Sequence, residues 1–97
     1  MAFDPGAISS TLAAAVGDEP ALIAELRQAF GESAGRVVAL LEAAEGEEAW
    51  VAAASRLKGL AASFGAVRLM ALAEHAIAAG KRDAALLRKI RRALERL

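Results

Sequence analysis

The residues with the chemistry to handle a phosphoryl group lie in one short stretch, positions 54–59 (ASRLKG). Ser55 offers a hydroxyl, and three residues on Lys58 places an ammonium where it could balance phosphoryl charge. Gly59 leaves the surface bare one helical turn after Ser55, although glycine inside a helix costs about 1 kcal/mol relative to alanine. A serine hydroxyl is a weak nucleophile without an adjacent base, and the nearest acid on the same helix face is Glu48, seven residues back. The stretch therefore predicts a surface suited to phosphoryl chemistry but with a poor acceptor.

A second candidate acceptor is His75, the single histidine of the chain. It lies ten residues after Gly65, and Ser55 lies ten before it, so an antiparallel hairpin would bring the two to similar heights. Its neighbours Glu74 and Ala76 lack the lysine and glycine of the first stretch, so a histidine at the boundary of the apolar stripe is the simpler interpretation. One histidine and no cysteine exclude the common zinc sites, and no Gly-rich phosphate loop is present. We expect no metal, no cofactor and no enzymatic activity.

The elements that must position these residues are helices. Apolar residues recur three and four apart, and nothing alternates with period two over a useful length. Glycine, proline and aspartate divide the chain into five predicted helices: from Asp4-Pro5 to about Val16, from Gly17-Asp18-Glu19-Pro20 to about Ala44, from about Glu47 to Ser63, from the Phe64-Gly65-Ala66 turn to Gly80, and from the cap Asp83 onwards. Short links between long amphipathic helices favour antiparallel neighbours. We therefore predict an all-α fold, an antiparallel up-down four-helix bundle with a short additional N-terminal helix.

The periodicity of each helix also predicts which side is buried. The apolar stripe of the second helix is Leu22, Ile23, Leu26, Phe30, Val37, Leu40, Leu41 and Ala44. The stripe of the fourth helix is Leu69, Leu72, Ala73, Ala76 and Ile77, and that of the fifth is Leu86, Leu87, Ile90, Leu94 and Leu97. In the third helix Trp50, Leu57, Ala61 and Phe64 cluster opposite Ser55. Ser55 should then face solvent among small residues, on a surface we call the Ser55 face: Glu48, Val51, Ser55, Lys58, Gly59 and Ala62.

Length and composition limit the kinds of protein this can be. The 97 residues are enough for one helical domain, spanning residues 1–97. No run of about 18 apolar residues predicts a spanning helix, and no basic segment precedes an apolar one at the N-terminus, so we expect a cytoplasmic protein. The net charge is zero, but acidic and basic residues are unevenly distributed along the chain. The first 50 residues hold nine acidic residues, and the last 17 hold seven basic ones: Lys81, Arg82, Arg88, Lys89, Arg91, Arg92 and Arg96. Such an end can steer acidic partners or simply be a solvated helix face.

Taken together, the motifs resemble the histidine-containing phosphotransfer (HPt) domain family. The signature of that family is His-x-Leu-Lys-Gly followed by Gly-Ala, and this chain has Ser55-Arg56-Leu57-Lys58-Gly59 followed by Phe64-Gly65-Ala66. The similarity extends over nearly the whole chain, through Phe3-Asp4, Gly17-Asp18-Glu19-Pro20, Phe30 ahead of Leu40-Leu41, and Arg68-Leu69-x-x-Leu72. The resemblance implies a bundle of four helices with a small N-terminal helix, docking to a receiver domain, and Lys58 and Gly59 flanking a phosphoryl site. The departure is Ser55, which stands where the family carries its phosphorylated histidine.

Our leading hypothesis is a degenerate HPt-like signalling module. It would bind the receiver domain of a response regulator or hybrid histidine kinase as a monomer, without nucleic acid or membrane insertion, and without carrying phosphate. One alternative is a true relay protein whose acceptor is His75, or whose native histidine was replaced by Ser55. The other is a general helical adaptor that contacts acidic partners through its basic last helix.

Overall fold

The computed structural model describes residues 5–17 and 19–97, and over those residues it is all-helical. It contains five helices: α1 (Pro5–Val16), α2 (Pro20–Ala43), α3 (Glu47–Phe64), α4 (Val67–Ala79) and α5 (Ala84–Glu95). The predicted boundaries are confirmed to within one residue. The predictions on Phe3, Asp4 and Asp18 lie outside the described residues. None of the described helices has the length and apolar composition that crossing a membrane requires.

Local hydrogen bonds explain where the helices of the site begin and end. After α3, Gly65 adopts a left-handed conformation with φ of 71°, and the Ala66 N–H donates to the Ala61 carbonyl at 2.9 Å. This pair of features is a Schellman-type end, which requires a residue that tolerates positive φ. Ala66 is fully buried, so the position after the glycine must be small. The conformation of Gly65 and the burial of Ala66 therefore explain the Gly-Ala pair of the motif.

The core is apolar and draws on all five helices. No polar or charged residue is buried among the residues described. The largest buried side chain, Trp50, donates its indole Nε1–H to the Ala76 carbonyl at 2.7 Å and so joins α3 to α4. The rings of Phe30 and Phe64 stack with centroids 4.7 Å apart, joining α2 to the end of α3. Helix α3 packs against α4, α2 and α1, while α5 packs against α4 and α2.

Helix α2 differs from its predicted stripe at three positions: Leu40 is exposed, and Ala34 and Val38 are buried although they were not predicted. Leu40 was expected in the core, but it is 49% exposed. The buried residues of α2 are Phe30, Ala34, Val37, Val38 and Leu41. These buried residues lie on one side of the helix. Leu40 comes one residue before Leu41, so its side chain points about 100° away from that of Leu41. The predicted stripes of α4 and α5 are confirmed as buried or half-buried.

Candidate functional site

Helix α3 exposes Ser55 because its buried residues occupy the opposite side. Trp50, Leu57 and Ala61 are buried as predicted, and Phe64 is half-buried. Ala53 and Ala54 are buried as well, so the core side of α3 is wider than the predicted stripe and reaches the residue before Ser55. Ser55 itself is exposed, and its hydroxyl makes no hydrogen bond within the described part of the chain. The serine is therefore accessible to a partner molecule.

Most of the Ser55 face has the predicted exposure. Glu48, Lys58, Gly59 and Ala62 are exposed. Val51 is the correction: it is half-buried and packs against the core cluster. Contact with the core thus covers part of a position that the periodicity of α3 alone assigns to solvent. The solvent-accessible part of the Ser55 face is therefore narrower than predicted, on the side where Val51 lies.

Gly59 has no packing role among the residues described. Apart from the adjacent residues and the backbone of its own helix, a Cβ atom added at Gly59 would meet no described atom within 4 Å, and the Gly59 backbone is helical rather than left-handed. One turn later the Ser63 hydroxyl donates to the Gly59 carbonyl at 2.9 Å, so that side chain bends back toward the helix backbone. Close helix–helix packing therefore does not explain the glycine. Two explanations remain: the glycine is merely tolerated in α3, or it keeps the surface bare for a partner.

A groove runs beside the Ser55 face, between α2 and α3. It encloses about 720 Å³ and is lined by Ser33, Arg36, Val37, Leu40, Arg56, Gly59, Leu60 and Ser63. A shallower depression continues from it along the same two helices, lined by Leu40, Ala43, Ala44, Glu45, Ala49, Ala52, Ala53 and Arg56. We call the two together the α2–α3 groove. Its centre is the exposed Leu40, and it meets the Ser55 face at Gly59.

Sequence reasoning missed this groove, although one signal for it was present. Leu40 precedes Leu41, and two adjacent residues of a helix point about 100° apart, so both cannot lie at the centre of one stripe. The side chains of Leu40 and Arg56 border both parts of the groove. An apolar floor with arginines at its edges resembles a protein-binding surface in composition.

His75 is exposed on α4 and borders neither part of the α2–α3 groove. Ala76, the residue after His75, accepts a hydrogen bond from Trp50 of α3, which lies five residues before Ser55. No lysine or glycine accompanies His75 on α4, where the adjacent residues are Glu74 and Ala76. On its own helix, His75 therefore lacks the lysine and glycine that accompany Ser55 on α3.

No group of histidine, cysteine, aspartate and glutamate that could hold a metal ion occurs among the described residues. Comparison of the chain with protein-family models, with curated proteins and with solved structures found no match. A function for the site must therefore be argued from its geometry and from the motif around Ser55.

Proposed function

We propose that this chain is an HPt-like signalling module that binds a receiver domain through the Ser55 face and does not carry phosphate. The observation that carries the proposal is the open surface at Gly59. The chain gives up helix stability inside α3, and no other element of the described structure packs into the space gained. A partner surface that approaches Ser55 closely would use it.

The order of helix contacts supports the HPt-like arrangement. Helices α2 to α5 each pack against the next in the chain, α5 also packs against α2, and α1 adds to α2 and α3. Two to four residues connect successive helices from α2 onwards, and such short connections favour antiparallel neighbours. These contacts support the four-helix bundle with one additional N-terminal helix that the proposal requires.

The exposed Leu40 supports docking beside Ser55. A protein interface has an apolar centre with polar and arginine residues around it. Leu40 supplies the apolar centre of the α2–α3 groove, and Arg36 and Arg56 lie at its edge. A receiver that covers Ser55 and Gly59 would also cover this groove.

The chemistry of Ser55 supports binding without transfer. The hydroxyl has no base next to it: Lys58 is cationic, and Glu48 is two turns away. A phosphoserine ester, once formed, is also a poor donor for onward transfer. The module would then compete with, sequester or scaffold receivers instead of relaying phosphate between them.

Phosphotransfer profiling tests the absence of transfer. The parent chain and Ser55→His are incubated with phosphorylated receiver domains from the same organism. Glu47→His serves as the control, because it places a histidine on α3 outside the Ser55 face and the α2–α3 groove. We expect label on Ser55→His alone. Label on the parent chain would contradict the proposal, and its loss in His75→Gln would identify His75 as the acceptor.

Binding to isolated receivers tests the docking face. Gly59→Gln places a long neutral side chain on the Ser55 face, whereas Gly31→Gln places the same side chain on α2 outside the groove, where a Cβ also meets no atom within 4 Å. We expect Gly59→Gln to weaken binding about tenfold, equivalent to about 1.4 kcal/mol, and Gly31→Gln to leave it unchanged. Equal effects, or no receiver bound by the parent chain, would contradict the docking proposal.

A further inference from the structure

A second groove lies on another side of the molecule, between the C-terminal part of α2 and helix α5. It encloses about 470 Å³ and is lined by Glu42, Arg82, Ala84, Leu87, Arg88, Arg91 and Arg92. Four guanidinium groups and one carboxylate therefore surround a small apolar floor. We call it the arginine groove. It shares no lining residue with the Ser55 face or the α2–α3 groove.

Two of its arginines are held in place by Glu42. The Arg91 guanidinium pairs with the Glu42 carboxylate, and both side chains are just over one-third exposed. Arg82 donates from Nη1 to the backbone carbonyl of Glu42, in the last turn of α2. A cation near the end of a helix also interacts favourably with the partial negative charge there. The groove is thus built by contacts across the fold instead of being a run of charge along one helix.

The other two arginines are available to a ligand. Arg88 and Arg92 are exposed on α5, and neither makes a hydrogen bond or ion pair within the residues described. They lie four residues apart, which places them on one side of the helix. An arginine guanidinium offers a planar fork of donors that matches a carboxylate with two parallel hydrogen bonds.

The buried side of α5 limits the kinds of partner. Leu86, Leu87, Ile90 and Ala93 are buried in the core, so the folded helix has no apolar face to lay into a lipid bilayer. No aromatic side chain lines the groove for bases to stack on. Between Ala84 and Arg92 the helix rises about 12 Å, the length of about four extended residues. A short acidic peptide segment fits these properties better than a membrane or a nucleic acid.

We propose that the arginine groove binds an acidic peptide segment of a partner protein. The Glu42 carboxylate shows the mode of binding, because it already occupies one guanidinium as an acidic side chain of the partner would. Arg88 and Arg92 bind further carboxylates, and a small apolar side chain of the peptide rests on the floor at Ala84 and Leu87. This site is independent of the proposed receiver docking, since it lies on different residues and needs no receiver domain.

Fluorescence anisotropy tests the site with a labelled Glu-Glu-Leu-Glu-Glu peptide, in which an extended backbone places the leucine and two glutamates on one face. The double variant Arg88→Glu/Arg92→Glu removes two groove arginines. Lys89→Glu/Arg96→Glu makes the same change of charge outside the groove, at one position on α5 and at the residue that follows it. We expect the first variant to weaken binding about tenfold or more, since each reversal removes one attraction and adds a repulsion. The second should weaken it by about threefold or less, and salt should weaken binding to the parent chain because exposed charges are screened.

A change at Glu42 tests the groove in the opposite direction. Glu42→Gln releases Arg91 from its internal carboxylate, so we expect severalfold tighter binding of the peptide, whereas Glu45→Gln, outside the groove, should change it less. Equal losses in the two double variants would overturn the proposal, because they would indicate a diffuse field of charge. Binding of phosphatidylserine vesicles or single-stranded DNA in place of the peptide would overturn it as well.

Discussion

At the scale of single residues, Ser55 and Gly59 differ in their effect on the stability of α3. Ser55 is exposed and makes no contact that the helix needs. Gly59 lowers the stability of α3, and no atom of the described chain occupies the space beside it. A residue that costs stability without a use in its own fold is typical of a functional surface. The glycine is therefore the stronger indication of docking, and the serine mainly bears on transfer.

The first prediction follows from this property of Gly59. Gly59→Ala should raise the free energy of unfolding by about 0.5–1 kcal/mol, because alanine favours the helix and its Cβ fits in open space. Urea denaturation followed by circular dichroism measures the change. A loss of stability would show that the surface at Gly59 is not open.

Gly46→Ala is the matched control for that prediction. A Cβ at Gly46 also meets nothing within 4 Å, but the backbone there has φ of 87°. Alanine at positive φ is strained by about 1 kcal/mol or more. The same substitution should therefore stabilise the chain at Gly59 and destabilise it at Gly46.

At the scale of elements, helix α5 depends on its first residues for its position. The Asp83 carboxylate accepts a hydrogen bond from the Leu86 N–H at 3.0 Å, as the sequence predicted for a cap. Arg82, one residue earlier, donates to the end of α2. The link before α5 thus both begins the helix and holds it against α2, where the arginine groove forms.

Replacing the cap tests this role. Asp83→Ala should lower the free energy of unfolding by about 1 kcal/mol, because an N–H in the first turn loses its partner. Asp83→Asn should retain most of the stability, since asparagine caps helices about equally well. Thermal unfolding of both variants measures the difference. An Asp83→Asn variant as unstable as Asp83→Ala would contradict a capping role.

At the scale of the whole molecule, packing decides which of two adjacent leucines is buried. Leu41 is fully buried and Leu40 is 49% exposed. The sequence predicted both in one stripe, but the helices packed against α2 cover Leu41 and leave Leu40 in the groove. The exposed apolar surface of the proposed docking site is therefore a product of helix packing.

Truncating each leucine tests that arrangement. Leu41→Ala should lower the free energy of unfolding by about 2–5 kcal/mol, because it leaves a cavity in the core. Leu40→Ala should change it by about 0.5 kcal/mol or less, and should weaken receiver binding if the groove is part of the docking site. Denaturant titration of the two variants separates the effects. Similar losses of stability would mean that Leu40 is also in the core.

The sequence by itself determined the features that depend on near neighbours. Caps such as Asp83 and the Gly65 turn act within a few residues, so helix boundaries could be read to within one residue. The exposure of Ser55 followed from the period of α3, and so did the open position of Gly59. The motif, and with it the hypothesis about function, also belongs to the sequence.

Only the tertiary structure decided the features that depend on neighbouring helices. Val51 is covered and Leu40 is uncovered because of where other helices lie, and a single helical period contains no such information. The arginine groove needs contacts from Arg82 and Arg91 to Glu42, which are 40 and 49 residues away along the chain. Charge order along the sequence predicted a basic end. The packing of α5 against α2 turned part of that end into a groove.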